Sequence, residues 1–69
     1  MRLQQLELLV TLAEQGSLRA AAEVLNITQP ALSKSLRRLE EEFGAALVQR
    51  SAKGVRLTQV GELLAARAV

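Results

Sequence analysis

The sequence predicts a mainly α fold, with a core of three helices, a small β-hairpin after the third and a fourth helix to follow. Three observations carry this. Apolar residues recur at spacings of three and four through most of the chain, the period of an amphipathic helix. Residues suited to helix ends stand between those stripes: Gly16-Ser17, Asn26 with Thr28, Gly44, and Thr58. After Gly44 the helical period gives way to two short β-compatible runs on either side of Ser51-Ala52-Lys53-Gly54.

The first stripe is Leu3, Leu6, Leu9, Val10 and Ala13, and Gly16 closes it as a left-handed cap. Ser17 then offers an N-cap hydroxyl to a short helix whose buried side is Leu18, Ala21, Ala22 and Leu25, ended by Asn26 in the left-handed region. Thr28 caps the third helix, and Pro30 falls in its first turn, where the missing N–H costs little. Ile27 and Leu32 have the spacing of a hydrophobic staple. Leu32, Leu36, Leu39 and Phe43 form the third buried stripe, which Gly44 terminates. Two helices joined by a turn this short read as helix-turn-helix. Leu47 to Arg50 and Val55 to Leu57 then flank a four-residue loop, predicted as a type I turn closed by a left-handed glycine. Thr58 caps a last helix with the stripe Val60, Leu63, Leu64 and Arg67. With little core left for it to pack on, that stripe predicts a truncated chain, a second subunit, or both. Leu63 and Leu64 suit packing or a dimer seam better than a ligand pocket.

Length and composition restrict the function. At 69 residues the chain is one small domain, near the lower limit for an unaided core. Of its residues 34 are apolar, 25 of them Leu or Ala and only Phe43 aromatic, which is enough to pack and too helix-biased for a β-sandwich. There is no Asp, His, Cys, Tyr or Trp. Zinc tetrads, thiolate nucleophiles, Ser-His-Asp triads and disulfides are therefore out of reach, so neither an enzyme nor a metal or cofactor site is expected in this domain. No targeting segment and no run of the roughly 20 apolar residues that cross a bilayer is visible, so a soluble intracellular protein without membrane contact is the default expectation. The net charge of +2 says little on its own.

The distribution of charge says more. Six of the nine basic residues lie in two stretches free of acids: Lys34, Arg37 and Arg38 between positions 28 and 38, and Arg50, Lys53 and Arg56 between 50 and 56. At about 100° per residue with Gln29 at zero, Ser33 lies near 40°, Arg37 near 80°, Pro30 near 100° and Lys34 near 140°. The buried stripe of the same helix falls between about 280° and 340°. Short amide and hydroxyl side chains near the N-terminal end with cations beside them suit a helix lying in a major groove. A solvated helix face is the plainer account of the same pattern. Lys53 in its turn is either ordinary surface or the tip of a wing, flanked by Arg50 and Arg56, that reaches a minor groove or phosphates. Ser17 and Arg19 at the second helix start are either a plain cap beside a solvated arginine or a phosphate contact. Their joint occurrence favours nucleic acid. Glu40, Glu41 and Glu42 read as a solvated acidic patch, paired with Arg37 or Arg38 at helical spacing.

The run Gly16-Ser17-Leu18, Ala21-Ala22, Leu25, Thr28-Gln29-Pro30-Ala31-Leu32-Ser33, Leu36, Leu39-Glu40, Gly44, Leu47, Arg50, Leu57-Thr58 and Gly61 resembles the N-terminal DNA-binding domain of LysR-type transcriptional regulators. The resemblance spans Leu3 to Gly61. It implies a winged helix-turn-helix over residues 1–57, with the third helix (about 28–43) in the major groove and the wing (about 47–57) at the backbone or minor groove. Residues 58–69 would begin a linker helix that pairs with a second subunit through Val60, Leu63, Leu64 and Arg67. It implies base contacts from Gln29, Pro30, Ser33 and Lys34 with Thr28 and Arg37 nearby, and backbone or wing contacts from Ser17, Arg50, Ser51 and Lys53. Arg19 and Arg56 join the second group on their charge and position. The resemblance also implies a homodimer on an interrupted inverted repeat of double-stranded DNA and a tetramer in the full-length protein. A C-terminal domain outside this sequence would sense a small-molecule effector. The sequence departs from the family at Val48, where Phe is usual, at Val60 for Ala, and at Leu9 for an aromatic, all packing positions. The rivals are a helical oligomerisation module, whose mark is self-association without selective DNA binding, and another winged-helix family.

Overall fold

The first helix is the element around which the others assemble. The computed structural model describes residues 3–67, in the order α1 (Leu3–Gln15), α2 (Leu18–Leu25), α3 (Gln29–Phe43), β1 (Val48–Ser51), β2 (Gly54–Leu57) and α4 (Gln59–Ala66). α1 packs on α2, α3, β2 and α4, while α3 also lies on α2 and α4 on β2. The strands pair antiparallel, with Val48 opposite Leu57, Gln49 opposite Arg56, Arg50 opposite Val55 and Ser51 opposite Gly54. The arrangement is a mainly α winged helix-turn-helix followed by a further helix.

The helix ends have local causes. Ser17 Oγ accepts from the Ala20 N–H at 2.9 Å, and Thr28 Oγ1 accepts from the Ala31 N–H at 3.2 Å. α2 and α3 both stop in Schellman motifs. At Asn26, φ 58°, Ile27 N donates to Ala22 O at 3.0 Å, and at Gly44, φ 67°, Ala45 N donates to Glu40 O at 3.2 Å. Gly16 is left-handed as expected, with φ 70°.

The core consists of Leu8, Leu9, Leu12, Ala21, Ala22, Leu32, Leu36, Leu39 and Leu47. Each large side chain fully removed from water contributes roughly 1.5–3 kcal/mol, so these leucines dominate the stability. Several expectations need correcting. On α1 the buried side is Leu8, Leu9, Thr11 and Leu12, not the stripe through Leu3 and Ala13, both of which are exposed. The helix carries two overlapping leucine stripes, and the elements surrounding it decide which turns inward. Phe43 is 40% exposed, because α3 ends there, and Leu47 rather than Phe43 completes the core beyond Leu39.

The hairpin is tighter than predicted. Its strands include Ser51 and Gly54, leaving Ala52 and Lys53 as a two-residue loop. The positive φ follows that loop, at Gly54 (128°), where β2 comes hard against the α1–α2 corner. Val55 N donates to Gly16 O at 2.9 Å, and a Cβ on Gly54 would overlap that same oxygen.

α4 has more to pack on than its stripe suggested. Leu64 and Ala65 lie against the core, and Gly61 is buried against the Leu47 carbonyl. Thr58 secures the corner before it: its N–H donates to Leu47 O at 2.9 Å and its hydroxyl to Ala46 O at 2.7 Å, and its Oγ1 accepts from Gly61 N at 3.1 Å. α4 ends at Ala66 with Arg67 as its cap. The continuation expected through Val69 lies outside the described residues.

Candidate nucleic-acid interface

The Thr28 cap places the first turns of α3 at the surface. Gln29, Pro30, Lys34 and Arg37 are exposed there and Ser33 is half-buried. Thr28, also exposed, holds the helix start through its hydroxyl. From Gln29 to Leu39 the helix carries no acidic side chain. On a scale of about 100° per residue, Gln29, Ser33 and Arg37 run up one strip of α3. Leu32, Leu36 and Leu39 hold the adjoining side, roughly a quarter-turn away, in the core, so the strip runs from the core's margin at Ser33 to open surface at Gln29 and Arg37. It presents amide, hydroxyl and guanidinium groups, all able to hydrogen-bond a base edge or phosphate.

On the hairpin, Arg50, Ser51, Lys53 and Arg56 are all exposed. The register separates the two arginines that were expected to flank the tip together. Side chains alternate along a strand, so Arg50 shares a face with its partner Val55, and Arg56 shares the other with Gln49. Lys53 lies in the loop, and its N–H donates to Ser51 Oγ at 3.3 Å, which fixes the turn. A groove of about 370 Å³ runs between the hairpin and the α1–α2 corner, lined by Gly16, Ser51, Lys53, Gly54, Val55 and Arg56. The fold thereby brings the wing beside the start of α2. Ser17 Oγ is occupied as an acceptor there, which leaves its O–H free to donate. Arg19 sits 3.7 Å from Glu23 in a highly exposed i, i+4 pair, so a bound anion would compete with a weak partner.

Glu40 corrects the reading of the acidic patch. Its Oε2 accepts from Leu47 N at 2.8 Å and from Val48 N at 3.4 Å, tying the end of α3 to the start of β1. Arg19–Glu23 is the one ion pair found among the described residues, so the expected pairing of the patch with Arg37 or Arg38 does not form there. Nothing local reveals this contact, because the donors are seven and eight positions away in another element. In the predicted dimer stripe, Val60 and Arg67 are exposed and Leu63 is 65% exposed, while Leu64 turns to the core. Among the described residues no group of acidic, His or Cys side chains could hold a metal ion, and no helix is long and apolar enough to cross a membrane.

Residues 3–62 match the family described as bacterial regulatory helix-turn-helix protein, lysR family. Over 68 residues the chain is 48% identical to the uncharacterized HTH-type transcriptional regulator YdcI of Escherichia coli K12, covering 99% of this chain and 22% of that protein. It resembles the crystal structure of the CbnR DBD–DNA complex with a TM-score of 0.88 and 34% identity, over 99% of this chain and 78% of that one. The BenM DBD complex with benA site 1 DNA gives a TM-score of 0.88 and 37% identity, over 99% and 76%. The chain spans about a fifth of the length of the curated relatives it matches.

Proposed function

The chain belongs to the LysR family of bacterial regulatory helix-turn-helix proteins, and from that premise we propose that it binds double-stranded DNA sequence-specifically as part of a transcriptional regulator. The observation that carries this is the acid-free strip of exposed Gln29, half-buried Ser33 and exposed Arg37, opening at a capped helix end. α3 lies in the major groove, with Thr28, Gln29, Pro30, Ser33, Lys34 and Arg37 at base edges. Arg50, Ser51, Lys53 and Arg56 on the wing and Ser17 and Arg19 on α2 contact the backbone or minor groove. The CbnR and BenM structures, both DNA complexes, support this docking for a fold this similar.

The DNA-bound form is a dimer on an interrupted inverted repeat, because a two-fold protein imposes two-fold symmetry on its site. Exposed Val60 and Leu63 on α4 supply apolar surface for that pairing, with Leu64 and Arg67 at its edge. The domain needs no cofactor and catalyses no reaction. In the longer regulator a further domain senses a small molecule, four copies assemble, and the protein works in the cytoplasm.

Selection of bound duplexes from a random pool supplies the cognate site together with its symmetry and half-site spacing. Against that site, Gln29→Ala or Ser33→Ala costs about 1–3 kcal/mol while binding to random duplex hardly changes. Arg50→Ala weakens both alike and reduces the salt slope by about one. If Gln29→Ala leaves the preference for cognate DNA untouched, the readout helix is misassigned.

A further inference from the structure

We infer that Glu40 is a positioning residue for DNA binding: its carboxylate holds the wing at a set distance and angle from the readout end of α3. The inference rests on the DNA-binding reading above and assigns a role to a residue that faces no ligand.

α3 and the hairpin share no broad packing face; α3 packs on α1 and α2, and the hairpin on α1 and α4. The bond pair from Glu40 Oε2 to the backbone N–H groups of Leu47 and Val48 is therefore a direct tie between readout helix and wing. The donors are the residue before β1 and the first residue in it, so the carboxylate fixes the chain's direction into the strand as well as its place. The Leu47 bond, at 2.8 Å, has the short length of a charge-assisted hydrogen bond and is the stronger of the two; the Val48 contact, at 3.4 Å, is the weaker.

Position along the helix matters too. Glu40 is eleven residues beyond Gln29 and falls at about 20° on the same angular scale, between Gln29 and Ser33. One strip of one rigid helix thus carries base-reading groups at its first turns and the wing's anchor roughly 16 Å further on, at about 1.5 Å per residue. Helix stability does not explain this carboxylate. Three consecutive glutamates in the last turn of α3, with no basic residue there, oppose the helix dipole. Glu40 alone among them has backbone donors within reach in the described residues.

The test is a double-mutant cycle on cognate duplex, read well below the melting temperature of each variant. Lys53→Ala is measured in the wild-type chain, in Glu40→Ala and in Glu40→Gln. The expected result is that Lys53→Ala weakens binding several-fold in the wild type and by clearly less in Glu40→Ala, because a wing still moored at Gly16 and Thr58 but freed from α3 places Lys53 on the DNA less well. Glu40→Gln keeps an acceptor oxygen and restores most of the Lys53 effect, whereas a general loss of stability would not be relieved in this selective way. Gln29→Ala should cost the same in all three backgrounds. An equal Lys53 effect in wild type and Glu40→Ala overturns the proposal. A Lys53→Ala variant that binds like wild type removes instead the DNA reading of the wing, and the proposal with it. Should Glu40→Ala not fold, hydrogen exchange in Glu40→Met, which keeps the length and lacks the acceptor, decides: selective acceleration of the Leu47 and Val48 amides supports the tie, and unchanged exchange there refutes it.

Discussion

Replacing Gly54 with alanine adds two penalties at one residue. At φ 128° an L side chain is strained, at a cost of about 1–3 kcal/mol. The new Cβ would also overlap the Gly16 carbonyl oxygen, a backbone atom that cannot swing aside. Relief means lifting the hairpin off the α1–α2 corner and lengthening the 2.9 Å bond from Val55 N to Gly16 O, which contributes about 0.5–1.5 kcal/mol. Gly44 is the internal control. Its φ is 67°, yet nothing lies within 4 Å of a Cβ built there, so Gly44→Ala carries only the left-handed cost of about 1–2 kcal/mol. We therefore expect losses of about 2–4 kcal/mol for Gly54→Ala and about 1–2 for Gly44→Ala. In a domain of this size each kcal/mol lowers Tm by about 4–8 °C, so the difference of about 1.5 kcal/mol between the midpoints puts Gly54→Ala about 6–12 °C below Gly44→Ala. Far-UV circular dichroism reads the melting, and amide exchange at Val55 reads the lifting of the hairpin. Equal melting temperatures with Val55 still protected in Gly54→Ala would refute the close-approach argument.

Two further outcomes follow from burial and capping. Leu36→Ala, at a fully buried position, should cost about 2–5 kcal/mol in urea unfolding and exceed Phe43→Ala, whose ring is 40% exposed; the reverse order would mean that Phe43 is a core residue after all. Thr58→Ala removes both an N-cap acceptor and the donor to Ala46 O, so its loss should exceed the roughly 1 kcal/mol of a simple cap and that of Thr28→Ala, measured side by side.

What could be read from the residues is what local chemistry decides. Ser17, Thr28, Asn26 and Gly44 act within a few positions of themselves, and each ends or begins a helix where expected. The identity of α3 and of its outward strip follows from one helix's periodicity. The misses are all non-local. Leu3, Leu6, Leu8, Leu9 and Leu12 offer two stripes on α1, and only the elements packed around it choose between them. The hairpin's two-residue loop reflects the demand of the Gly16 corner on Gly54. Glu40 looked like one of three solvated acids because the amides that hold it come from across the turn. In the candidate site, the exposed groups were legible but their alternation was not: antiparallel pairing sends Arg50 and Arg56 to opposite faces.

The hairpin is moored at three separate places, by the Gly16 carbonyl, the Glu40 carboxylate and Thr58. Its tip is thus an outrigger whose reach is decided before any duplex arrives. A ligand spanning α3 and Lys53 finds both already in place, so association forfeits little to ordering the protein. Adaptation to sites of different curvature or spacing is then left to the DNA and to the chain beyond Thr58.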